Sequence, residues 1–122
     1  MPDIQTESGF RAHILQNRHT VWQQPIIRAL DQSVLHYEWL VRFDSDAGLE
    51  RILRPAEISG AIADLDLAML GQAVAALNAD PSRDGIAVNL SGASFSDPKF
   101  ETGLLTHLSA LKAPPIKLIF EL

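Results

Sequence analysis

An apolar segment, HYEWLVRF at residues 36–43, carries both a carboxylate and a guanidinium. Side chains of a strand alternate between its two faces, so Glu38 and Arg42 would share one face while Trp39 and Val41 take the other. A carboxylate can bind a cation, and a guanidinium offers a bidentate fork to phosphate oxygens. The segment therefore indicates either a face exposed to water or a site that uses both charges.

Two further oxygen-bearing side chains stand where other apolar segments end. Asn89 follows IAV, and Glu121 follows KLIF. Barrel enzymes and open α/β sheets place their sites at the carboxyl ends of parallel strands. Glu38, Asn89 and Glu121 could thus converge on a hard cation such as Mg²⁺ or Ca²⁺. Taken singly, each has a simpler interpretation as a solvent-exposed strand residue, a turn residue and an exposed residue near a terminus.

Hydrophobic periodicity predicts the elements that would position these side chains. Pro25 restricts the first strand to a sheet edge or a bulge, and Pro55 suits the first turn of a helix. Gly60 weakens the opening turn of that helix, so the alternative is that its early part forms a separate helix. Strands are predicted at 21–28, 34–43, 86–90 and 116–122, and helices at 10–16, 55–77 and 100–111.

The order of these elements predicts an α/β fold. The short connection between the first two strands favours an antiparallel hairpin, and the later alternation of helices and strands favours parallel β-α-β units. A full barrel of such units needs eight strands and typically about 250 residues. A chain of 122 residues with four strands resembles the first half of one.

Composition excludes several classes of protein. The net charge of −5 argues against a DNA or RNA partner, and the absence of cysteine excludes disulfides and thiolate metal sites. The polar start of the chain lacks the apolar core of a signal peptide, and we expect no membrane segment. These features together suit a cytoplasmic protein.

Six short motifs, taken in order, resemble the N-terminal half of the EAL domain, the bacterial cyclic di-GMP phosphodiesterase family. The resemblance divides the chain into an N-terminal tail with a short helix, 1–18, and a partial EAL domain, 19–122. It implies a partial TIM-like (β/α) barrel with an antiparallel first strand, incomplete after the fourth strand. The motifs are QPI at 24–26, EWLVR at 38–42, RPAE at 54–57, AVNLS at 87–91, SDPKF at 96–100 and LIFEL at 118–122.

The resemblance also implies roles for the polar residues. Glu38, Asn89 and Glu121 match the family's metal ligands, while Gln24 and Arg42 match residues that contact the dinucleotide and its phosphate. The family's metal is Mg²⁺, with Mn²⁺ or Ca²⁺ as alternatives, and we expect it to bind weakly or not at all here. Trp39 replaces the alanine of the family's name motif, and we expect it to pack against the helices.

No complete catalytic set is present in residues 1–122, because the family's later aspartate pair, lysine and further glutamate are missing. The run between Pro55 and Asp66 is also several residues shorter than in the family. We expect a degenerate or truncated, non-catalytic EAL domain that acts as a regulatory or interaction module in signal transduction. The alternatives are a cyclic di-GMP receptor and a fragment of an active metal-dependent phosphodiesterase. Expected partners are cyclic di-GMP, a second copy bound through exposed sheet edges, and other signalling proteins.

Overall fold

The computed structural model describes residues 3–122. It consists of a four-stranded mixed sheet with helices packed on one face. Its elements are α1 (Glu7–Leu15), β1 (His19–Ile27), β2 (Val34–Phe43), α2 (Leu49–Ser59), α3 (Ile62–Ala79), β3 (Gly85–Asn89), α4 (Pro98–Ala110) and β4 (Leu118–Glu121), with 3₁₀ helices at Gly92–Ser96 and Pro115–Lys117. The strand order is β1-β2-β3-β4, with β1 antiparallel to β2 and the other neighbours parallel. The predicted α/β class and antiparallel first strand are confirmed.

The β1–β2 hairpin is the part of the sheet that the sequence predicts best. Pro25 lies on β1, opposite Tyr37 of β2. Because β1 is an edge strand, a residue without an N–H is tolerated there. The register shifts between Ile26 and Ile27. Asp31 stabilises the turn by accepting hydrogen bonds from both the backbone N–H and the hydroxyl of Ser33. Of the two alternatives predicted for Pro25, the edge position is therefore correct, and the irregularity of the strand comes after the proline.

The helical layer corrects one expectation about where a helix starts. Pro55 was expected in a first turn, but α2 begins at Leu49 and carries Pro55 in its interior. Ile52 and Ala56 of α2 are almost fully buried, and they follow Leu49 at helical spacing. Burial of this stripe outweighs the hydrogen bond that proline removes. Gly60, with a φ of 85°, ends α2, so the alternative of two separate helices is correct.

The predicted N-terminal tail becomes helical early. Residues 1 and 2 of that tail lie outside the described residues. Phe10 and Ile14 of α1 are buried in the same core as the other helices, and the Phe10 ring lies 6.0 Å from that of Phe43 on β2. The helix therefore packs on the domain.

The core lies between the helices and one face of the sheet. Leu70 and Leu77 of α3 are fully buried, as are Ile86 and Val88 of β3. Trp39 joins this core with 9% of its surface exposed, so the prediction that it packs against the helices is confirmed.

The opposite face of the sheet carries the polar strand residues. Across-strand pairing places Gln24 beside Glu38, and Thr20 beside Arg42, on this side. The described helices pack on the other side, and Trp22 remains 62% exposed. We call this surface the open face. Its residues include Trp22, Gln24, Glu38, Leu40, Arg42, Ala87, Asn89 and Glu121.

The long helix α3 meets the length and hydropathy of a membrane span, contrary to the expectation of no such run. It has 18 residues with a mean hydropathy of 1.2, and half of them are buried inside the domain. The helix contacts β3, α1, α2 and α4. Its apolar character is therefore accounted for by its place in the core.

We predict that Leu70→Ala lowers the free energy of unfolding by about 2–5 kcal/mol, because it leaves a cavity where the side chain is fully buried. Leu105→Ala, on an exposed position of α4, is the matched control and should change it by less than about 0.5 kcal/mol. Urea unfolding followed by circular dichroism measures both. Equal effects of the two substitutions would contradict the assignment of α3 to the core.

Candidate functional site

Two of the three predicted cation ligands, Asn89 and Glu121, lie at the carboxyl ends of β3 and β4, and the third, Glu38, lies midway along β2. Asn89 Nδ2 donates to Glu38 Oε2 over 3.4 Å, bridging β3 and β2. Asn89 and Glu121 are register partners on β3 and β4, and Leu90 N–H donates to the Glu121 carbonyl over 2.8 Å. The fold therefore brings Glu38, Asn89 and Glu121 to one rim of the open face.

The donor atoms of this rim are of the kind that a hard cation takes. Two carboxylates and one amide supply oxygen donors and two formal negative charges, and water completes the shell of ions such as Mg²⁺. A cation would take the amide oxygen of Asn89 in place of its present contact with Glu38. Within residues 3–122 no group of three His, Cys, Asp or Glu side chains comes together.

Arg42 belongs to a different part of the open face from Glu38. Its Nη1 donates to the Val41 carbonyl over 2.7 Å, and its guanidinium carbon lies 5.5 Å from the centre of the Trp22 ring. Among the described residues no ion pair joins Arg42 to Glu38. The carboxylate and the guanidinium are therefore available for separate contacts.

The remaining predicted residue, Gln24, stands across the hairpin from Glu38. The two are direct register partners on adjacent antiparallel strands, where facing side chains are about 5 Å apart at Cβ. Gln24 is exposed. Its amide can therefore donate and accept hydrogen bonds toward a ligand that lies on the open face.

A cavity of about 260 Å³ opens at the carboxyl ends of β2 and β3, beside α2 and α3. Arg42 and Asn89 line it together with apolar side chains such as Leu53 and Met69. Gln24, Glu38 and Glu121 are absent from its lining. The five predicted site residues therefore share the open face, but only two of them also border this cavity.

Asp66 on α3 shapes the site, although it was not among the predicted site residues. Its Oδ2 accepts hydrogen bonds from the Ser91 N–H at 2.8 Å and the Ser94 hydroxyl at 2.5 Å. These bonds anchor the loop that directly follows Asn89. Asp64, two residues earlier, instead pairs with Arg11 at 2.9 Å.

Burial is the main cause that raises the pKa of the Asp66 carboxyl, to about 6. The hydrogen bonds from Ser94 and Ser91 oppose the increase, and the carboxylate of Glu57 adds to it. The sequence contained a signal for this residue, because position 66 falls within the apolar helical stripe of Ile62, Met69 and its neighbours. A lone carboxylate in such a stripe needs a buried partner.

We predict that Asp66 makes folding more stable at acidic pH. Its ordinary pKa of 3.8 applies to the unfolded chain, so the folded state holds the proton more tightly between pH 4 and 6. Its contribution to the free energy of unfolding, up to about 3 kcal/mol, is complete below about pH 4 and is lost as the pH rises through about 6. Urea unfolding of the wild type and Asp66→Asn at several pH values tests this. The two curves should diverge toward acid in favour of the wild type, and parallel curves would contradict the prediction.

Three comparisons place this geometry among known proteins. A family model described as "EAL domain" matches residues 8–122. The comparison with curated proteins gave no match. Solved structures that resemble the chain include a FimX EAL domain, with 22% identity and a TM-score of 0.78. The FimX EAL domain from Pseudomonas aeruginosa bound to c-di-GMP has 23% identity and a TM-score of 0.77, and the PaMucR phosphodiesterase in its c-di-GMP complex has 22% and 0.77.

The chain spans about half the length of these solved structures. The alignments cover 98%, 98% and 94% of this chain, but 50%, 49% and 50% of the FimX domain, the P. aeruginosa FimX domain and PaMucR. At these identities the likeness shows the shared fold. The partial barrel inferred from four strands is thereby confirmed.

Proposed function

The chain belongs to the EAL domain family, and we propose that residues 3–122 form a non-catalytic, cytoplasmic regulatory domain that binds cyclic di-GMP on the open face. The observation that carries this proposal is the convergence of Gln24, Glu38, Arg42, Asn89 and Glu121 on that face. Solved relatives with this fold are themselves c-di-GMP complexes.

The arrangement of charge suits a cyclic dinucleotide. Arg42 presents a guanidinium that can contact phosphate oxygens through two parallel hydrogen bonds. A divalent cation held by Glu38, Asn89 and Glu121 would offset the negative charge of the other part of the phosphodiester ring. Gln24 lies beside the carboxylate of Glu38 and offers an amide to a base edge or a ribose hydroxyl. Attraction is thus spread along an elongated ligand.

The same residues support binding more than hydrolysis. Two-metal hydrolysis of a phosphodiester needs ligands for two cations, one to activate water and one to stabilise charge on the phosphate. The rim offers two carboxylates and one amide from the described part of the chain, which is a partial set for one cation. We therefore assign recognition of the dinucleotide, and not its turnover, to these residues.

We predict that Arg42→Ala weakens cyclic di-GMP binding about tenfold or more, because a charge-assisted hydrogen bond to phosphate is lost. Isothermal titration calorimetry on the 122-residue chain measures the affinity with Mg²⁺ and with a chelator. Glu38→Gln should remove the effect of Mg²⁺ while leaving the affinity without the cation nearly unchanged.

Arg28→Ala is the matched control, since Arg28 lies at the turn end of the same hairpin and its side chain is 55% exposed. It should bind like the wild type. Absence of binding by the wild type at millimolar cyclic di-GMP would overturn the proposed ligand. Appearance of the linear dinucleotide during the titration, detected by chromatography, would overturn the non-catalytic assignment.

Self-association is a second candidate function, favoured by the two edges of the sheet. Within the described residues β1 and β4 each pair with one neighbour, so each leaves backbone N–H and C=O groups free to pair with another strand. The open face adds apolar surface at Trp22. A second copy bound along β4 would extend the sheet.

This candidate predicts a concentration-dependent dimer in size-exclusion chromatography with light scattering. Ile119→Lys, which places a charge on the β4 edge, should shift the equilibrium toward the monomer. Leu105→Lys on the exposed side of α4 is the control and should leave the dimer intact. A monomer at every concentration would rule out self-association.

A further inference from the structure

Trp22 is a large aromatic residue that the strand exposes instead of burying. It lies opposite Leu40 in the hairpin register, on the open face, and 62% of it is exposed. The other tryptophan, Trp39, is 9% exposed and sits in the core on the opposite side of the same sheet. Trp22 is thus available to a ligand in a way that Trp39 is not.

Arg42 orders the Trp22 ring from one side. Its guanidinium lies over the ring at 5.5 Å, and it is fixed in turn by its hydrogen bond to the Val41 carbonyl. A cation over one face of an indole is attracted by the negative charge of the π system. This contact covers one face of the ring and leaves the exposed remainder oriented toward the open face.

The ring is also in line with other groups suited to a nucleotide. Trp22 and Gln24 are two residues apart on β1, so they point to the same side about 7 Å from one another. Arg42 lies at the other side of Trp22. An amide, an aromatic ring and a guanidinium therefore follow one another along the β1–β2 hairpin. These groups suit the edge of a base, the face of a base and a phosphate, respectively.

We propose that the uncovered face of Trp22 is a stacking platform for one purine base of a cyclic dinucleotide. This inference rests on the proposed function and adds a residue outside the motifs by which the family was recognised. Every base has a π face, so the platform supplies affinity with little base selectivity. Selectivity then comes from hydrogen-bonding groups such as Gln24.

Calorimetry with cyclic di-GMP and Mg²⁺ on the 122-residue chain tests the platform. Trp22→Ala should weaken binding about 10- to 100-fold, the range that loss of a base–aromatic stack gives. Trp22→Phe retains an aromatic plate and should stay within about fivefold of the wild type. Leu30→Ala, which removes a 91% exposed apolar residue in the hairpin turn, is the control and should leave the affinity unchanged.

Tryptophan fluorescence provides an independent readout, since the chain has two tryptophans. Trp39→Phe leaves Trp22 as the reporter, and cyclic di-GMP should quench it. Trp22→Phe leaves the buried Trp39, whose emission should stay constant. Circular dichroism checks that each variant is folded.

The outcomes separate this inference from the function on which it rests. If the wild type binds and the affinity of Trp22→Ala is within about twofold of it, the platform is overturned and the proposed receptor stands. Binding without quenching of Trp22 has the same meaning. Absence of binding by the wild type overturns both. A large loss for Trp22→Ala and quenching of Trp22, with near-normal binding by Trp22→Phe, support stacking, because phenylalanine retains the aromatic plate that alanine lacks.

Discussion

The site depends on the register between β1 and β2, which decides which side chains of the hairpin reach the open face. A slip of one residue would send Glu38 and Arg42 into the core and Trp39 into water. The register is held by the burial of Trp39, by the hydrogen bond from its indole to Gln23 at 3.3 Å, and by Arg83 over its ring at 6.0 Å. A buried residue thus fixes the direction in which Glu38 and Arg42 point.

This dependence explains the presence of opposite charges on one apolar strand. Glu38 and Arg42 do not neutralise each other, because each has a different neighbour: Asn89 for the carboxylate and Trp22 for the guanidinium. The two contacts are on opposite sides of β2. A ligand that spans the open face would meet the guanidinium of Arg42 near β1 and the carboxylate of Glu38 near β3.

Sequence patterns predicted the parts of the fold that short-range rules determine. Alternation in β2 placed Trp39 correctly, and Pro25 identified an edge strand. The start of α2 could not be found in this way, because burial of Ile52 and Ala56 overrides the local preference of Pro55 for a first turn. The proximity of Asn89 to Glu38 was expected because Asn89 ends one strand and Glu38 lies on a neighbouring one. The cavity beside them was not, since it depends on how α2 and α3 pack.

Asp66 has a consequence that reaches across the layers of the domain. Its carboxylate ties α3 to the backbone of Ser91, two residues after Asn89. A sliding movement of α3 against β3 would therefore pull directly on the rim that Asn89 shares with Glu38. Because coupling of this kind is reciprocal, an ion bound at the rim would also resist displacement of the helix. One carboxylate and two hydrogen bonds thus join the helical layer to the rim of the open face.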